Sequence, residues 1–361
     1  MGPGPSNMDP RVLSALSRPV VGHLDPGFVA FMDDLKELLR YAFQTKNAMT
    51  LPISAPGSAG MELCFVNLVE AGDQVVVCRN GVFGGRMLEN VKRTRGLPII
   101  IDDDWGRPVD PNQLEDALKA NPDAKLVASV HAETSTGARS DVQTLAGIAH
   151  EHDCLIIVDT VTSLGGIPLE VDAWGLDAVY SGSQKCLSCT PGLSPVTFSE
   201  RALAKVRARR EAVQSWFLDL NLLNAYWDDG QNQRSYHHTA PVHTLMALHE
   251  SLAILAAEGL EAAHARHRAA HEQLRDGLAP LGIEYLVDAE WRLPQLNSVI
   301  VPAALQEREA AIRRALLDED GIEIGAGLGD LAGKIWRIGT MGYTARSENI
   351  TRLLSALAGR L

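Results

Sequence analysis

The hydrophobic positions of the chain fall into two alternating patterns. Short, almost fully apolar runs occupy residues 49–53, 74–78, 98–101, 125–130, 155–158 and 178–180. Such runs are typical of parallel strands that are covered on both faces. In residues 26–43 and 61–69 the sequence instead favours helices, with apolar side chains of the first stretch recurring every three or four positions. This alternation of strands and helices indicates an α/β fold.

The last part of the chain is organised differently. The pattern predicts a helix over 200–213 and one long helical stretch over 242–278 that contains Gly259. Shorter elements follow, with strands at 296–301 and 335–338 and helices at 306–317 and 347–357. We therefore predict a large domain over 21–258 and a smaller C-terminal α+β domain over 259–361. Residues 1–20 are predicted to form an N-terminal arm, because its opening Gly-Pro-Gly-Pro cannot adopt regular structure.

Two charged residues follow apolar strands, at the strand ends where α/β proteins bind ligands. Asp159 closes the run 155–158, and Lys185 follows the run 178–180 after Ser-Gly-Ser-Gln. A lysine among small and apolar neighbours loses solvation and becomes a nucleophile that can form an imine. Pyridoxal phosphate needs both groups, a lysine that tethers its aldehyde and a carboxylate that keeps its pyridine nitrogen protonated. The pair predicts a pyridoxal phosphate enzyme with Lys185 and Asp159 as catalytic residues.

The segments around these two residues carry a family resemblance. The sequences VDTVTSLGG at 158–166 and SGSQKCLSCTPGLSPVTFS at 181–199 resemble the class V aminotransferases, in the branch of the alanine:glyoxylate and serine:pyruvate enzymes. Further similar segments are GPGPSN at 2–7, HAETSTG at 131–137, YHHTAP at 236–241 and RIGTMGY at 337–343. The resemblance implies the fold type I architecture of pyridoxal phosphate-dependent transferases. That architecture is a mainly parallel seven-stranded sheet with helices on both faces, plus a smaller C-terminal α+β domain.

The resemblance also implies the residues of the site. The cofactor phosphate would bind at the turn Gly57, Ser58 and Ala59, where Pro56 replaces a hydroxyl residue that relatives often have. Phe83 would stack on the cofactor ring, in the place of the tryptophan of many relatives. Other implied cofactor contacts are Thr134, Val161 and Gln184, and the implied substrate contacts are Gly4 and Arg337.

Two features imply a homodimer with an active site shared across its interface. Tyr236 and Thr239 match family residues that reach the phosphate of the neighbouring subunit, and arms like residues 1–20 cross onto that subunit. From the residues alone, simpler alternatives stay open. Phe83 could be an ordinary core residue, and Arg337 could form a structural salt bridge instead of binding a substrate carboxylate. His131 and Glu133 could be an acid/base pair, but supporting positions behind the site are favoured.

Composition and charge exclude several classes of protein. The net charge of -12 over 361 residues leaves no basic stripe for nucleic acid. No apolar run is long enough to span a membrane, so we expect a cytoplasmic protein without a membrane partner. Five cysteines, an odd number, favour reduced thiols, and the spacing of Cys186 and Cys189 is interpreted as packing. We expect no metal site.

One face of the predicted helix in 242–278 carries three histidines, His264, His267 and His271. No carboxylate motif accompanies them, so they are interpreted as a solvated face of the helix.

The resulting hypothesis is a transaminase that moves an amino group from alanine or serine to glyoxylate or pyruvate. An alternative is (S)-ureidoglycine:glyoxylate aminotransferase, whose members resemble the segments 321–325 and 336–343. Those relatives tend to have Gln near the position of His23 and Asn at that of Tyr236, which disfavours this alternative. A lyase such as a cysteine desulfurase is disfavoured because it needs a mobile cysteine in the C-terminal part, and none follows Cys189.

Overall fold

A computed structural model of the chain describes residues 1–23, 25–227 and 234–361. Its strands are β1 (Met49–Ile53), β2 (Gln74–Arg79), β3 (Leu97–Asp102), β4 (Ala124–Val130), β5 (Ala132–Glu133), β6 (Ala138–Arg139), β7 (Leu155–Asp159), β8 (Ala178–Tyr180), β9 (Ser194–Phe198), β10 (Leu296–Ile300), β11 (Gly325–Ala326) and β12 (Ile335–Gly339). The predicted strands at 49–53 and 178–180 are confirmed to the residue, and the other predicted strands differ at their ends by one residue.

The central sheet has seven strands in the order β1-β9-β8-β7-β4-β2-β3. Strand β9 runs antiparallel to β1 and β8, while β8, β7, β4, β2 and β3 pair in parallel. All five residues of β7 are buried, as expected for a strand with both faces covered. The predicted mainly parallel, seven-stranded sheet is therefore confirmed. Because these strands are parallel, the carboxyl ends of β1, β2, β4, β7 and β8 open at the same edge.

The helices are α1 (Pro10–Ala15), α2 (Pro26–Phe43), α3 (Gly57–Leu68), α4 (Val82–Arg93), α5 (Pro111–Ala120), α6 (Val142–Glu151), α7 (Glu200–Arg207), α8 (Leu220–Trp227), α9 (Val242–Glu258), α10 (Leu260–Leu278), α11 (Glu309–Asp320) and α12 (Ser347–Ala358). Helix α2 has the predicted bounds. The helix predicted over 200–213 ends at Arg207, after which Arg209 donates to the carbonyls of Asn67 and Val69 and ties the chain to the end of α3. No helix in the described ranges is long and apolar enough to cross a membrane.

The C-terminal region, residues 260–361, has its own small sheet and core. Strands β10 and β11 pair antiparallel with β12, and a separate hydrophobic cluster extends from Ala270 to Leu357. The long helical stretch 242–278 divides at Gly259, whose φ of 87° ends α9 and starts α10. The domain boundaries at 20 and 258 stay a prediction.

The prediction that the three histidines of α10 face solvent is wrong. His264 and His267 are buried, and His271 is half-buried. His267 donates from Nδ1 to the Ala263 carbonyl (2.7 Å), and His271 Nδ1 donates to Asn297 Oδ1 (2.6 Å). These histidines face Asn297 in β10 and the loop after β12, which are long-range contacts that helical periodicity does not show.

The N-terminal arm makes several contacts within its own chain, and its crossing onto a partner subunit stays a prediction. Its first residues form no helix or strand, as predicted, but they lie along their own chain. The Met1 carbonyl accepts from Gly339 N (2.7 Å), Ser6 N donates to the Gln184 carbonyl (2.8 Å), and Asn7 N donates to Thr344 Oγ1 (3.3 Å). Residues 1–7 therefore bridge the C-terminal region and the loop that carries Lys185.

Candidate active site

A cavity of about 230 Å³ lies at the edge where the parallel strands end. Most of the predicted cofactor residues line it, and they come from five separate segments of the chain. The lining residues are Pro56, Gly57, Ser58, Met61, Phe83, Arg86, Thr134, Asp159, Val161, Tyr180, Gln184 and Lys185. The fold thus gathers at one point residues that lie up to about 130 positions apart in the sequence.

Asp159 is the last residue of β7 and is held from two sides. The Tyr180 hydroxyl donates to Oδ2 (2.7 Å), and the backbone N–H of Val161 donates to Oδ1 (2.8 Å). Burial raises the pKa of Asp159 to about 6, while these two donors and the charge of Lys185 act in the opposite direction by stabilising the anion. Asp159 is therefore a buried carboxylate that is ionised at neutral pH.

Lys185 extends from the loop after β8 into the same cavity. Its Nζ donates to the Pro3 carbonyl, and a side chain at Gly4 would overlap Nζ, so this glycine permits the arm to lie against the lysine. Burial lowers the pKa of Lys185 to about 8, with the nearby charge of Arg337 acting in the same direction. An appreciable minority of the amine is therefore uncharged just above neutral pH, which a nucleophile and general base require.

Helix α3 begins inside the predicted phosphate turn, earlier than the predicted start at residue 61. Pro56 is its N-cap and provides no side-chain hydrogen bond, so the first N–H groups of the helix lack the usual cap. Gly57 approaches β8 closely, because an added Cβ would lie 3.3 Å from the Ser181 carbonyl. An uncapped helix N-terminus at the cavity wall is suited to binding a phosphate. Ala59, also predicted here, donates its N–H to the Pro56 carbonyl (2.7 Å) and does not line the cavity.

Phe83 lies on the cavity wall at the start of α4, and a buried glutamate fixes its backbone. Glu133 Oε2 accepts from the N–H groups of Phe83 (3.1 Å) and Gly84 (3.4 Å), while Oε1 accepts from Ser135 N (3.0 Å). Burial raises the pKa of Glu133. Glu133 therefore acts behind the cavity wall, where it holds the loop that presents the phenyl ring. The Arg86 guanidinium lies over that ring, 4.8 Å from its centroid.

The remaining polar groups of the cavity test whether pyridoxal phosphate fits. Thr134 Oγ1 pairs with Thr162 Oγ1 (2.7 Å), and Gln184 Oε1 is buried without a hydrogen-bond partner. A buried amide atom without a partner indicates a polar ligand. Together with the carboxylate of Asp159, the amine of Lys185 and the uncapped helix, this set matches a cationic ring that carries an aldehyde, a hydroxyl and a phosphate. The residues present fit pyridoxal phosphate.

Arg337 lies in β12 and is buried beside the site. Its Nε donates to the Ala326 carbonyl (2.7 Å) and its Nη1 to the Thr134 carbonyl (3.3 Å). Both partners are neutral, and in the described part of the chain the guanidinium forms no ion pair. Burial lowers the pKa of Arg337. The arrangement is that of a buried cation open to an anionic ligand, so the alternative of a structural salt bridge finds no partner among the described residues.

Tyr236 and Thr239 do not line this cavity. They lie on the surface, where Tyr236 is 61% exposed and its hydroxyl is 3.1 Å from Thr239 Oγ1. The ring of Tyr236 is 5.3 Å from that of His23. An exposed Tyr and Thr pair outside the cavity of its own chain leaves both side chains accessible to another subunit.

Sequence reasoning missed three residues of the cavity wall, Met61, Arg86 and Tyr180. Tyr180 was part of a predicted strand, and only the pairing of β7 with β8 shows that it lies beside Asp159. Arg86 follows Phe83 by three positions on a helix, and this spacing could have indicated that both face one side. Nothing in the sequence distinguishes Met61 from other core residues of α3.

Comparison with known proteins gives a consistent result. The family model for class V aminotransferases matches residues 13–346. The chain is 40% identical over 360 residues to alanine–glyoxylate aminotransferase of Oryctolagus cuniculus, covering 99% of this chain and 91% of that protein. It is 36% identical over 376 residues to (S)-ureidoglycine–glyoxylate transaminase of Bacillus subtilis, covering 99% and 89%. The crystal structure of alanine–glyoxylate aminotransferase from Nostoc sp. matches with a TM-score of 0.96 and 44% identity, covering 99% and 94%.

Proposed function

The chain belongs to the class V aminotransferases, which are pyridoxal phosphate-dependent enzymes, and from this we propose that it transfers the amino group of alanine or serine to glyoxylate or pyruvate. One observation carries the proposal. Lys185 and Asp159 line one cavity, and the guanidinium of Arg337, which has no anionic partner among the described residues, lies close enough to influence the lysine. An amino acid substrate needs these three groups, one for the proton at its Cα, one for the cofactor ring and one for its carboxylate.

Pyridoxal phosphate, when bound, supplies the electron sink that lets the substrate Cα release its proton. Asp159 would hold the pyridine nitrogen in its protonated form, since Tyr180 and Val161 keep the carboxylate anionic. Lys185 would take the Cα proton at Nζ and return it to the neighbouring carbon, with a pKa of about 8 suited to both steps.

The other residues would bind the cofactor and orient the substrate. The N-terminus of α3 with Gly57 and Ser58 would bind the phosphate, and Phe83 would cover the ring. Thr134, Val161 and Gln184 would contact the cofactor, and Arg337 would bind the substrate carboxylate with its planar guanidinium. Gly4 would border the substrate, because it lies against Lys185.

A homodimer with shared active sites is part of the proposal. It is supported by the exposed pair of Tyr236 and Thr239, which we expect to contact the phosphate in the partner subunit. The cytoplasm is the proposed location, supported by five free and buried cysteines that suit a reducing compartment.

The ureidoglycine reaction is the second candidate, supported by the similarity to the Bacillus subtilis transaminase. It is disfavoured because His23 and Tyr236 stand where those relatives tend to have the amide side chains Gln and Asn. A desulfurase is disfavoured further, since the buried cysteines cannot act as a mobile nucleophile.

A half-reaction screen tests the proposal. The purified protein is loaded with pyridoxal phosphate and mixed separately with alanine, serine, glycine and ureidoglycine, and the visible absorbance reports the conversion of the aldehyde to the amine form. Conversion with alanine or serine, and its loss in Lys185→Ala, is expected. Conversion by ureidoglycine alone would select the second candidate, and the absence of a visible band in the loaded wild-type protein would contradict the cofactor assignment.

A further inference from the structure

The backbone of Gly342, in the loop that follows β12, is held by helix α10 through both of its polar groups. Its N–H donates to His267 Nε2 (2.8 Å), and its carbonyl accepts from Arg266 Nη1 (2.6 Å). Arg266 is itself fixed by a bidentate ion pair with Glu258 (2.6 and 2.8 Å) at the end of α9. Burial lowers the pKa of His267 to about 4, so its Nε2 remains an acceptor at neutral pH. The position of this loop is therefore set by the C-terminal region.

The same loop contacts Ser188 directly. Tyr343 N donates to Ser188 Oγ (2.7 Å), and an added Cβ at Gly342 would overlap that oxygen. Gly342 also has a φ of 51°, which favours glycine for a second reason. The loop after β12 therefore lies directly against the Ser188 hydroxyl, in the loop that carries Lys185.

From Ser188 the contacts continue to the backbone of Lys185. Ser188 N donates to the Lys185 carbonyl (2.9 Å), and Ser188 Oγ lies 3.1 Å from Ser6 Oγ. The Ser6 hydroxyl donates to the same Lys185 carbonyl (2.9 Å), so the Ser188 hydroxyl donates to Ser6. Ser188 adopts the left-handed conformation, with a φ of 55° that is uncommon for a residue other than glycine. Backbone strain of this kind indicates a position that its contacts determine closely.

We propose that Ser188 is a positioning residue through which the Gly342–Tyr343 loop sets the position of Lys185. Arg337 and this loop belong to one continuous segment, separated by residues 338–341. A carboxylate held by Arg337 therefore fixes the loop, and Ser188 transmits its position to the lysine. The inference rests on the proposed function only for the role of Arg337, since the contacts from Gly342 to Lys185 are independent of the substrate.

The first test measures this coupling in the cofactor-loaded protein. The pH dependence of the visible absorbance is recorded with and without propionate, which has a carboxylate but no amine to react. In the wild-type protein we expect propionate to move the midpoint by about half a pH unit or more. Ser188→Ala should bind propionate with similar affinity and lose this shift, while Ser14→Ala, an exposed serine of α1, should keep it.

The second test uses the cofactor-free protein and does not depend on its activity. Lys185 is labelled with an acid anhydride over a range of pH, and the labelled peptide is quantified by mass spectrometry. The wild-type midpoint should lie near 8, and in Ser188→Ala it should rise towards the ordinary lysine value because the loosened loop lets water reach the amine. Ser188→Gly suits the left-handed backbone without the hydroxyl, so it provides the same measurement if Ser188→Ala folds poorly.

The outcomes separate the two proposals. If both Ser188 variants keep the wild-type midpoint in the labelling experiment and the propionate shift, Ser188 is only a packing residue and the inference is overturned. If the wild-type protein forms no visible band with pyridoxal phosphate, the proposed function fails, while the labelling experiment alone decides whether Ser188 positions Lys185.

Discussion

The Tyr180 hydroxyl lies 2.7 Å from Oδ2 of Asp159 and donates a hydrogen bond to it inside the core. Tyr180 ends β8 and Asp159 ends the neighbouring strand β7, so the register of the sheet places the two side by side. A carboxylate buried without donors would be protonated, and this contact helps to keep Asp159 charged. The sheet thereby sets the protonation state of the group that would face the cofactor ring.

Replacing this donor should weaken cofactor binding at low pH. In Tyr180→Phe the loss of a hydrogen bond to a charged group, worth roughly 1.5–3 kcal/mol, should raise the pKa of Asp159 by about one pH unit or more. The affinity for pyridoxal phosphate, measured by absorbance titration, should then fall at a correspondingly higher pH. Tyr285→Phe is the matched control, because its hydroxyl bonds to Asn297 in the C-terminal region. If the affinity for pyridoxal phosphate falls at the same pH in Tyr180→Phe and in the wild type, Tyr180 does not help to keep Asp159 charged.

The buried carboxylate should also destabilise the cofactor-free protein. Burial raises the pKa of Asp159 from the ordinary 3.8 to about 6, so between these values the folded state retains a proton that the unfolded state has released. Stability therefore decreases as the pH rises from about 4 to 6, by up to about 3 kcal/mol. Asp159→Asn should be more stable than the wild type above pH ~6 and lose this advantage below pH ~4.

Urea unfolding at several pH values measures the effect of Asp159→Asn. Asp123→Asn, at an exposed position, is the control and should leave the pH profile unchanged. Equal stabilities of Asp159→Asn and the wild type at every pH would show that burial does not disfavour the carboxylate.

The role of Arg337 predicts a separation of substrate binding from cofactor binding. Lysine retains the charge but not the planar pair of donors, so Arg337→Lys should raise the KM of the amino donor roughly 10- to 100-fold. The affinity for pyridoxal phosphate should stay the same, because Arg337 does not line the cofactor cavity. Arg308→Lys, at the surface, serves as the control. A wild-type KM in Arg337→Lys would return Arg337 to a structural role.

The shared site can be tested by mixing two inactive variants. If Tyr236 and Thr239 complete the site of the partner subunit, a hybrid of Lys185→Ala with a Tyr236→Ala/Thr239→Ala double variant contains one intact site. Random exchange of subunits should restore about a quarter of the wild-type activity. No recovery after proven exchange of subunits would contradict an active site shared across the interface.

Most of the strands of the central sheet, though not β9, could be predicted because local information is sufficient for them. The run 155–158 is apolar on both faces, and the structure buries every residue of β7. The small and apolar neighbours of Lys185 predict a poorly solvated amine, and in the structure burial lowers the pKa of Lys185. These features depend on adjacent residues or on the period of one element.

Several of the misses concern contacts between distant segments. His267 has the spacing of a surface residue, and only the approach of Gly342 reveals its role as an acceptor. Tyr180 was assigned to a strand without a function, because pairing partners cannot be derived from one strand alone. The hydrogen bond from Gly339 N to the Met1 carbonyl, which holds the arm on its own chain, has no signal in the local sequence either. Each of these contacts depends on tertiary packing.

The bond between Met1 and Gly339 also has a consequence for how firmly the arm is held over Lys185. The two residues are far apart in the chain, so their hydrogen bond forms only when β12 has paired into the C-terminal sheet. A chain that has folded only its central sheet lacks this anchor. Loosening of the C-terminal sheet should therefore also free the segment whose Pro3 carbonyl accepts from the lysine.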